Sequence, residues 1–131
     1  PLNPIQLALS AGATFVARTY THGIELLKST IRDAIAHKGF SLVDVLQVCV
    51  TFYNMYDYYN SRTYELNGHN PLDRGEAMKK IGEWDYNSDS PIALGTFYKK
   101  NSPTFEETFA RAENAAVDRY SKITEILKNH T

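Results

Sequence analysis

The chain has 131 residues, of which 43% are hydrophobic and 22% charged, the size and balance of one globular domain. Fourteen basic and fifteen acidic residues give a formal charge of -1, which excludes the basic field that attracts nucleic acid or anionic lipid. No apolar run approaches the roughly 20 residues of a membrane helix, and the first residues lack a signal-peptide pattern. The single cysteine cannot form an intrachain disulfide. We therefore expect a cytoplasmic protein without a membrane or nucleic-acid partner.

Two elements are predicted in the first 20 residues. Asn3 can cap a helix that has Pro4 in its first position, and Gly12 suits a left-handed C-terminal cap, so a helix is predicted over residues 4–11. The compact, β-branched run at residues 13–18 is bounded by Gly12 and by polar residues, which predicts a strand.

A second helix is predicted over residues 23–38, because apolar residues recur there at spacings of three and four. Thr21 is the expected N-cap, and Gly39 ends the helix. The apolar positions, which we expect to face the core, are Ile24, Leu27, Ile31, Ala34 and Ile35.

The next stretch, GFSLVDVLQVCVTFYN at residues 39–54, is almost continuously apolar, which predicts a buried parallel strand covered on both faces. Strand, helix and strand then form a right-handed βαβ unit. Residues 19–23 and 48–54 would meet at the carboxyl edge of the sheet, where ligands bind in open α/β folds. Cys49, Thr51 and Asn54 fall at this edge.

Residues 54–70 are rich in tyrosine, which indicates a cover over the domain or a partner surface more than a dedicated ligand site. Residues 73–84 predict a helix with Ala77, Ile81 and Trp84 on one face. A short strand is predicted over residues 91–98, and its proline and glycine favour an edge position.

A final helix is predicted over residues 104–128. Thr104 and Glu107 have the spacing of a capping box. We interpret the whole chain as one domain, with a core at 1–54, a tyrosine-rich cover at 55–90, and an edge strand with a C-terminal helix at 91–131. The predicted buried stripe of the last helix consists of Phe105, Phe109, Ala112, Ala116, Tyr120, Ile123 and Leu127.

Cys49 is the strongest candidate for a functional residue. It could be a nucleophile or a metal ligand, or it could simply pack in the core. Free cysteines are usually buried, which favours the core interpretation. No histidine stands nearby in sequence to act as a base. His22 is the only histidine at the predicted sheet edge, and a packed loop residue is its simpler interpretation. The residues alone therefore specify no reaction.

Three segments carry a specific resemblance. LNPIQLALSAGATFVAR (2–18), IRDAIAHKGFSLVDVLQVCVTFYN (31–54) and IALGTFYKKNSPTFEE (92–107) closely resemble the C-terminal portion of the β subunit of 2-oxoacid:ferredoxin oxidoreductases, with matching spacing. The resemblance covers residues 1–107. It implies a partial doubly wound, mostly parallel α/β sheet with flanking helices, the C-terminal part of a thiamine-diphosphate-binding fold, plus a C-terminal helix.

The resemblance also implies an activity. These enzymes use thiamine diphosphate and Mg²⁺ to decarboxylate a 2-oxoacid oxidatively, form an acyl-coenzyme A, and pass electrons through a [4Fe-4S] cluster to ferredoxin. Their thiamine-diphosphate motif and three cluster cysteines belong to an N-terminal part that this sequence lacks. Cys49 resembles the fourth cysteine ligand. Val48 and Tyr53 depart from the proline and asparagine frequent beside it.

Two functional hypotheses follow from the resemblance. The first is the C-terminal fragment of an oxidoreductase β subunit, inactive alone, with an α subunit and ferredoxin as partners and some tendency to self-associate. The second is a non-catalytic α/β module that docks on an α-subunit-like partner. A small-molecule-binding domain using the tyrosine-rich segment is the third and least favoured.

Overall fold

The computed structural model describes residues 2–109 and Lys128. Within them, the elements are α1 (Pro4–Ser10), β1 (Phe15–Tyr20), α2 (Ile24–Ala36), β2 (Ser41–Leu46), α3 (Tyr56–Arg62), β3 (Thr63–Glu65), α4 (Arg74–Ile81) and β4 (Ile92–Lys99). The sheet has the order β2-β1-β4-β3. The β1/β2 and β3/β4 pairs are parallel and the β1/β4 pair is antiparallel, so the predicted α/β fold with an open, mostly parallel sheet is confirmed.

None of the helices in this part of the chain is long and apolar enough to cross a membrane.

The predicted N-terminal helix and βαβ unit are confirmed. The side chain of Asn3 accepts a hydrogen bond from the backbone N–H of Gln6 at 3.3 Å, and α1 buries Ile5 and Leu9. Strand β1 is buried along its whole length and pairs in parallel register with β2 through the crossover helix α2. The backbone of Gly12 has a φ of 99°, a conformation that favours glycine after α1.

Helix α2 differs from its prediction in three respects. It ends at Ala36 with His37 as its C-cap, so Gly39 does not end it as predicted. Its N-cap is Gly23, without a side-chain hydrogen bond, so the predicted Thr21 cap is wrong. The isoleucines of its apolar stripe are also uncovered: Ile24, Ile31 and Ile35 are 51%, 41% and 80% exposed. The spacing identified an apolar face correctly, but it carries no information on whether the rest of the chain covers that face.

Strand β2 is shorter and less buried than predicted for residues 39–54. It spans only Ser41–Leu46 and lies at the edge of the sheet, with most of its residues half-buried. The prediction of a strand covered on both faces was therefore wrong. An apolar run in sequence does not distinguish a strand within a sheet from one at its edge.

Strand β4 corrects the predicted edge position of residues 91–98. It lies between β1 and β3, and its first four residues are buried. Pro91 precedes the strand, so its missing N–H removes no hydrogen bond from the strand itself. The third strand, β3, falls within the tyrosine-rich segment, where no strand was predicted.

The helix predicted over residues 73–84 is confirmed as α4. The carboxylate of Asp73 caps it by accepting hydrogen bonds from the backbone of Gly75 and Glu76 at 2.8 and 3.1 Å. Ala77, Ile81 and Trp84 are buried, as predicted.

The last predicted helix begins as expected, with helical backbone over residues 105–109. The N–H of Glu107 donates to the Thr104 hydroxyl at 3.3 Å, and the N–H of Thr104 donates to the Glu107 carboxylate at 3.1 Å, which confirms the capping box. Phe105 and Phe109 are 73% and 54% exposed, so their predicted burial is wrong. The other members of that stripe lie outside the described residues: Ala112, Ala116, Tyr120, Ile123 and Leu127.

The junction between α2 and β2 contains a buried histidine. The Nε2 atom of His37 lies 2.9 Å from the Thr14 hydroxyl, whose oxygen accepts a hydrogen bond from the Phe40 N–H at 2.9 Å. The Nδ1 atom of His37 is buried and has no hydrogen-bond partner among the described residues. Burial lowers the pKa of His37, and the positive charge of Lys99 lowers it further.

We predict that His37 makes the protein less stable in acid. Because the folded-state pKa lies below the unfolded value, the unfolded chain takes up a proton first as pH falls below about 6.5, and the free energy of unfolding decreases. Urea unfolding of wild type and His37→Gln between neutral pH and pH 5 measures this. The wild type should lose more stability than the variant, and parallel pH profiles would contradict the prediction.

Candidate functional site at the carboxyl edge of the sheet

The carboxyl ends of β1 and β2 meet as predicted. The N–H of Thr21 donates to the carbonyl of Leu46 at 3.0 Å, which joins the two strand ends. Beyond Leu46 the chain forms a turn in which the N–H of Tyr53 donates to the Cys49 carbonyl at 3.0 Å. Cys49 thus begins a closed turn three residues after β2.

Cys49 is an exposed free thiol, so its interpretation as a packed core residue is wrong. Other side chains of the turn are also solvent-exposed: Val50, Phe52 and Tyr53 are 61%, 93% and 71% exposed. No cluster of three or more His, Cys, Asp or Glu side chains that could hold a metal occurs in the described part of the chain. Any metal at Cys49 would need most of its ligands from elsewhere.

The other residues predicted at this edge have structural partners. The side chain of Asn54 accepts a hydrogen bond from the N–H of Tyr56 at 3.1 Å and so supports the start of α3. The ring of His22 lies 6.0 Å from that of Tyr20 and 5.9 Å from that of Tyr56. Thr51 lies exposed in the turn. These contacts position the edge and assign no chemistry to the three residues.

A buried ion pair lies beneath this edge. Arg18 in β1 is fully buried, and its Nε donates to the Asp44 carboxylate of β2 at 2.9 Å. The guanidinium carbon is 4.6 Å from the centroid of the Trp84 ring, a cation–π distance. The Nη2 atom of Arg18 has no hydrogen-bond partner among the described residues.

Aromatic rings continue outward from this ion pair. Trp84 lies 4.1 Å from Tyr86 and, edge-on, 6.3 Å from Tyr59, whose ring is 5.6 Å from that of Tyr20 (all between centroids). Burial is the main cause of a raised pKa in Tyr20, Tyr59 and Tyr86. Tyrosine hydroxyls are protonated at neutral pH even without such a shift, so these groups can donate hydrogen bonds.

A cavity of about 530 Å³ opens between the start of α3 and residues 84–89. Its size lies within the roughly 300–1,000 Å³ range of small-molecule sites. The lining includes Tyr58, Tyr59, Trp84 and Tyr86 together with the polar residues Asn87 and Ser88.

The sequence prediction missed the Arg18–Asp44–Trp84 cluster. The available signal was a charged residue in each of two otherwise apolar strands. In the parallel register, Arg18 pairs directly with Asp44, so a βαβ prediction with the correct register would have brought the charges together. The position of Trp84 over Arg18 follows only from the packing of α4.

Residues 49–114 match the family described as the C-terminal region of the pyruvate ferredoxin oxidoreductase beta subunit. This chain belongs to that family, and the match begins at Cys49.

The similar proteins are oxidoreductase β subunits. The chain is 35% identical over 128 residues to the 2-oxoacid:ferredoxin oxidoreductase subunit beta of a Sulfolobus species, a match that covers 89% of this chain and 42% of the relative. It is 36% identical over 125 residues to subunit beta of 2-oxoacid:ferredoxin oxidoreductase 1 from Aeropyrum pernix, covering 84% of this chain and 38% of that one. The chain thus spans about two fifths of the length of these curated relatives.

One solved structure shares the fold over almost the whole chain. It is 2-oxoglutarate:ferredoxin oxidoreductase from Magnetococcus marinus with 2-oxoglutarate, coenzyme A and succinyl-CoA bound. The two superpose with a TM-score of 0.82 at 25% sequence identity, over 95% of this chain and 44% of that chain.

We predict that removing one partner of the Arg18–Asp44 ion pair destabilises the protein more than replacing both partners. Asp44→Ala should lower the free energy of unfolding by about 3 kcal/mol, because it leaves the guanidinium charge buried without its partner. Arg18→Met with Asp44→Leu removes both charges and should recover most of that loss. Urea unfolding of the wild type, Asp44→Ala and the double variant measures the three free energies of unfolding.

The matched control is Lys28→Ala, which breaks the exposed Lys28–Glu25 pair of 2.9 Å on α2. Its cost should stay below about 0.5 kcal/mol. Equal losses in Asp44→Ala and Lys28→Ala would contradict the prediction.

Proposed function

We propose that this chain is the C-terminal part of a 2-oxoacid:ferredoxin oxidoreductase β subunit and that residues 1–131 form one domain of that subunit. The family match from Cys49 onward and the fold shared with the Magnetococcus marinus enzyme support this proposal. The complete enzyme would oxidatively decarboxylate a 2-oxoacid to an acyl-coenzyme A in the cytoplasm. Its partners would be an α subunit and ferredoxin.

In this proposal Cys49 supplies one thiolate to a [4Fe-4S] cluster. Such a cluster takes four cysteine thiolates, and this chain has one cysteine, so the other three come from outside these residues. The position of Cys49 suits that role, because its thiol is exposed and its backbone is closed into a turn by Tyr53. The exposed apolar side chains of Val50 and Phe52 can shield a cluster from water once the remaining protein covers them.

The described residues show no group of side chains suited to the Mg²⁺ that accompanies thiamine diphosphate. Mg²⁺ prefers carboxylate and other oxygen ligands, and the described residues hold no cluster of three or more acidic, histidine or cysteine side chains. We assign both cofactors to residues outside this chain, which is why the chain alone is expected to be inactive. The bound cluster would carry electrons, and the role of this chain's own residues is to hold and cover it.

The test is Cys49→Ala in the longer β subunit that the proposal requires, purified with its α subunit. Visible absorbance and iron content should fall, because one of four thiolate ligands is lost. Thr51→Ala, in the same turn, is the matched control and should keep both signals. Full brown absorbance and unchanged iron in Cys49→Ala would reject the ligand assignment.

A second candidate function is a docking module without catalysis, in which α2 binds an α-subunit-like partner. The uncovered isoleucines of α2 and the adjacent edge strand β2 favour it. The reading frame distinguishes the two candidates: upstream cysteines and a thiamine-diphosphate motif support the subunit, and an immediate start codon supports the module.

For the docking module we predict that the 131-residue chain co-purifies with a co-expressed α subunit and that Ile35→Lys weakens the association at least tenfold. Ile35 is 80% exposed, so the introduced charge disrupts an apolar interface without entering the core. Glu25→Lys, on an exposed position of the same helix, is the control. Failure of the wild-type chain to co-purify would exclude this candidate.

A further inference from the structure

The cavity beside Trp84 has walls made largely of aromatic rings. Tyr58 and Tyr59 contribute from α3, and Trp84 and Tyr86 contribute from the segment after α4. The Tyr58 hydroxyl donates to the Ser88 carbonyl at 3.3 Å, which links the two sides. Rings on both sides of a cavity favour a flat ligand that can stack on them.

One wall of the cavity offers a side-chain amide, and a second polar group behind it is buried. Trp84 is 6% exposed, and its indole N–H is buried with no acceptor among the described residues. The Asn87 side chain is exposed at the opening and forms no hydrogen bond with other described residues through its amide. Because that N–H is shielded from the surface, a ligand in the cavity would hydrogen-bond through the exposed Asn87 amide instead. An asparagine amide can pair with adenine through two hydrogen bonds.

The charge of the lining argues against recognition of a phosphate. The charged lining residue is Asp89, whose carboxylate pairs with the Arg62 guanidinium. That pair leaves no unpaired cation among the described residues of the wall. A ligand would therefore be held through its ring and not through an anionic group.

We propose that this cavity binds a planar nitrogen heteroaromatic group, a purine base such as adenine, stacked against the aromatic walls and paired with Asn87. The inference does not rest on the proposed enzyme function, because it depends only on the residues that line the cavity. Stacking on an aromatic side chain supplies the affinity, and the asparagine amide supplies the preference for the base.

The sequence provides a direct probe, because Trp84 is the only tryptophan in the chain. Adenosine and adenosine 5′-monophosphate are titrated separately into the protein. Tryptophan emission is excited at a wavelength that neither ligand absorbs. Both should change the emission saturably and with dissociation constants within about threefold of each other, since the phosphate has no cationic partner.

Two variants locate the binding. Tyr86→Ala removes a stacking wall and should weaken adenosine binding at least tenfold. Asn87→Ala changes an exposed side chain, so it should weaken binding by several-fold without affecting the fold. Tyr53→Ala, which removes an exposed tyrosine of the Cys49 turn, is the matched control and should bind like wild type.

Three outcomes overturn the proposal. The first is the absence of a saturable emission change with adenosine in folded wild type. The second is unchanged binding in both Tyr86→Ala and Asn87→Ala, which places the ligand elsewhere. The third is binding of the monophosphate that inorganic phosphate displaces, without binding of adenosine, which identifies an anion site.

Discussion

The complete burial of β1 is the constraint on which the rest of this structure depends. A strand with a neighbour on each side and every residue buried must be apolar, or its charges must be matched. Arg18 violates the first condition, and Asp44 of the adjacent strand meets the second at 2.9 Å. The parallel register of β1 and β2 is therefore specified by charge as well as by the apolar pattern, since a slip of one residue would separate the pair.

The same ion pair links the core to the surface. Trp84 covers Arg18 and contacts Tyr86 and Tyr59, so the aromatic cavity is built directly on the buried guanidinium. Cys49 lies after the neighbouring strand end, on a turn whose side chains are largely exposed. The carboxyl edge thus carries two different surfaces, one with rings and hydrogen-bond donors and one with an exposed thiol and apolar side chains.

Local signals in the sequence predicted local structure well. The caps at Asn3 and Thr104 and the glycine at 12 were predicted correctly, because each acts through its nearest neighbours, whereas Thr21 and Gly39 do not cap α2. The order of the strands could not be predicted in the same way. Pro91 and Gly95 favoured an edge position for β4, but the proline precedes the strand and the glycine conformation is accommodated within the sheet.

Burial also depended on information that a periodic pattern lacks. The isoleucines of α2 and the phenylalanines at 105 and 109 form apolar faces, but a face is buried only if another element covers it. The sequence placed a small-molecule site in the tyrosine-rich segment only third among its hypotheses, and it missed the other wall of the cavity because residues 84–89 are far from α3 in sequence. The resemblance gave the family correctly, since segments of similar sequence and spacing identify relatives without any knowledge of packing.

The position of β4 has a consequence for the order in which the chain can fold. Strand β1 pairs with β2 across a short sequence separation, as Phe15 pairs with Ser41. Its pairing with β4 joins residues much farther apart in sequence, as Phe15 also pairs with Lys99. During synthesis from the N-terminus, β1 therefore has one unpaired side until nearly the whole described chain has been made. Contacts between distant residues slow folding and leave strand edges open to other chains in the meantime. The central β1/β4 pair, like the β3/β4 pair, can consequently form only after β4 has been made.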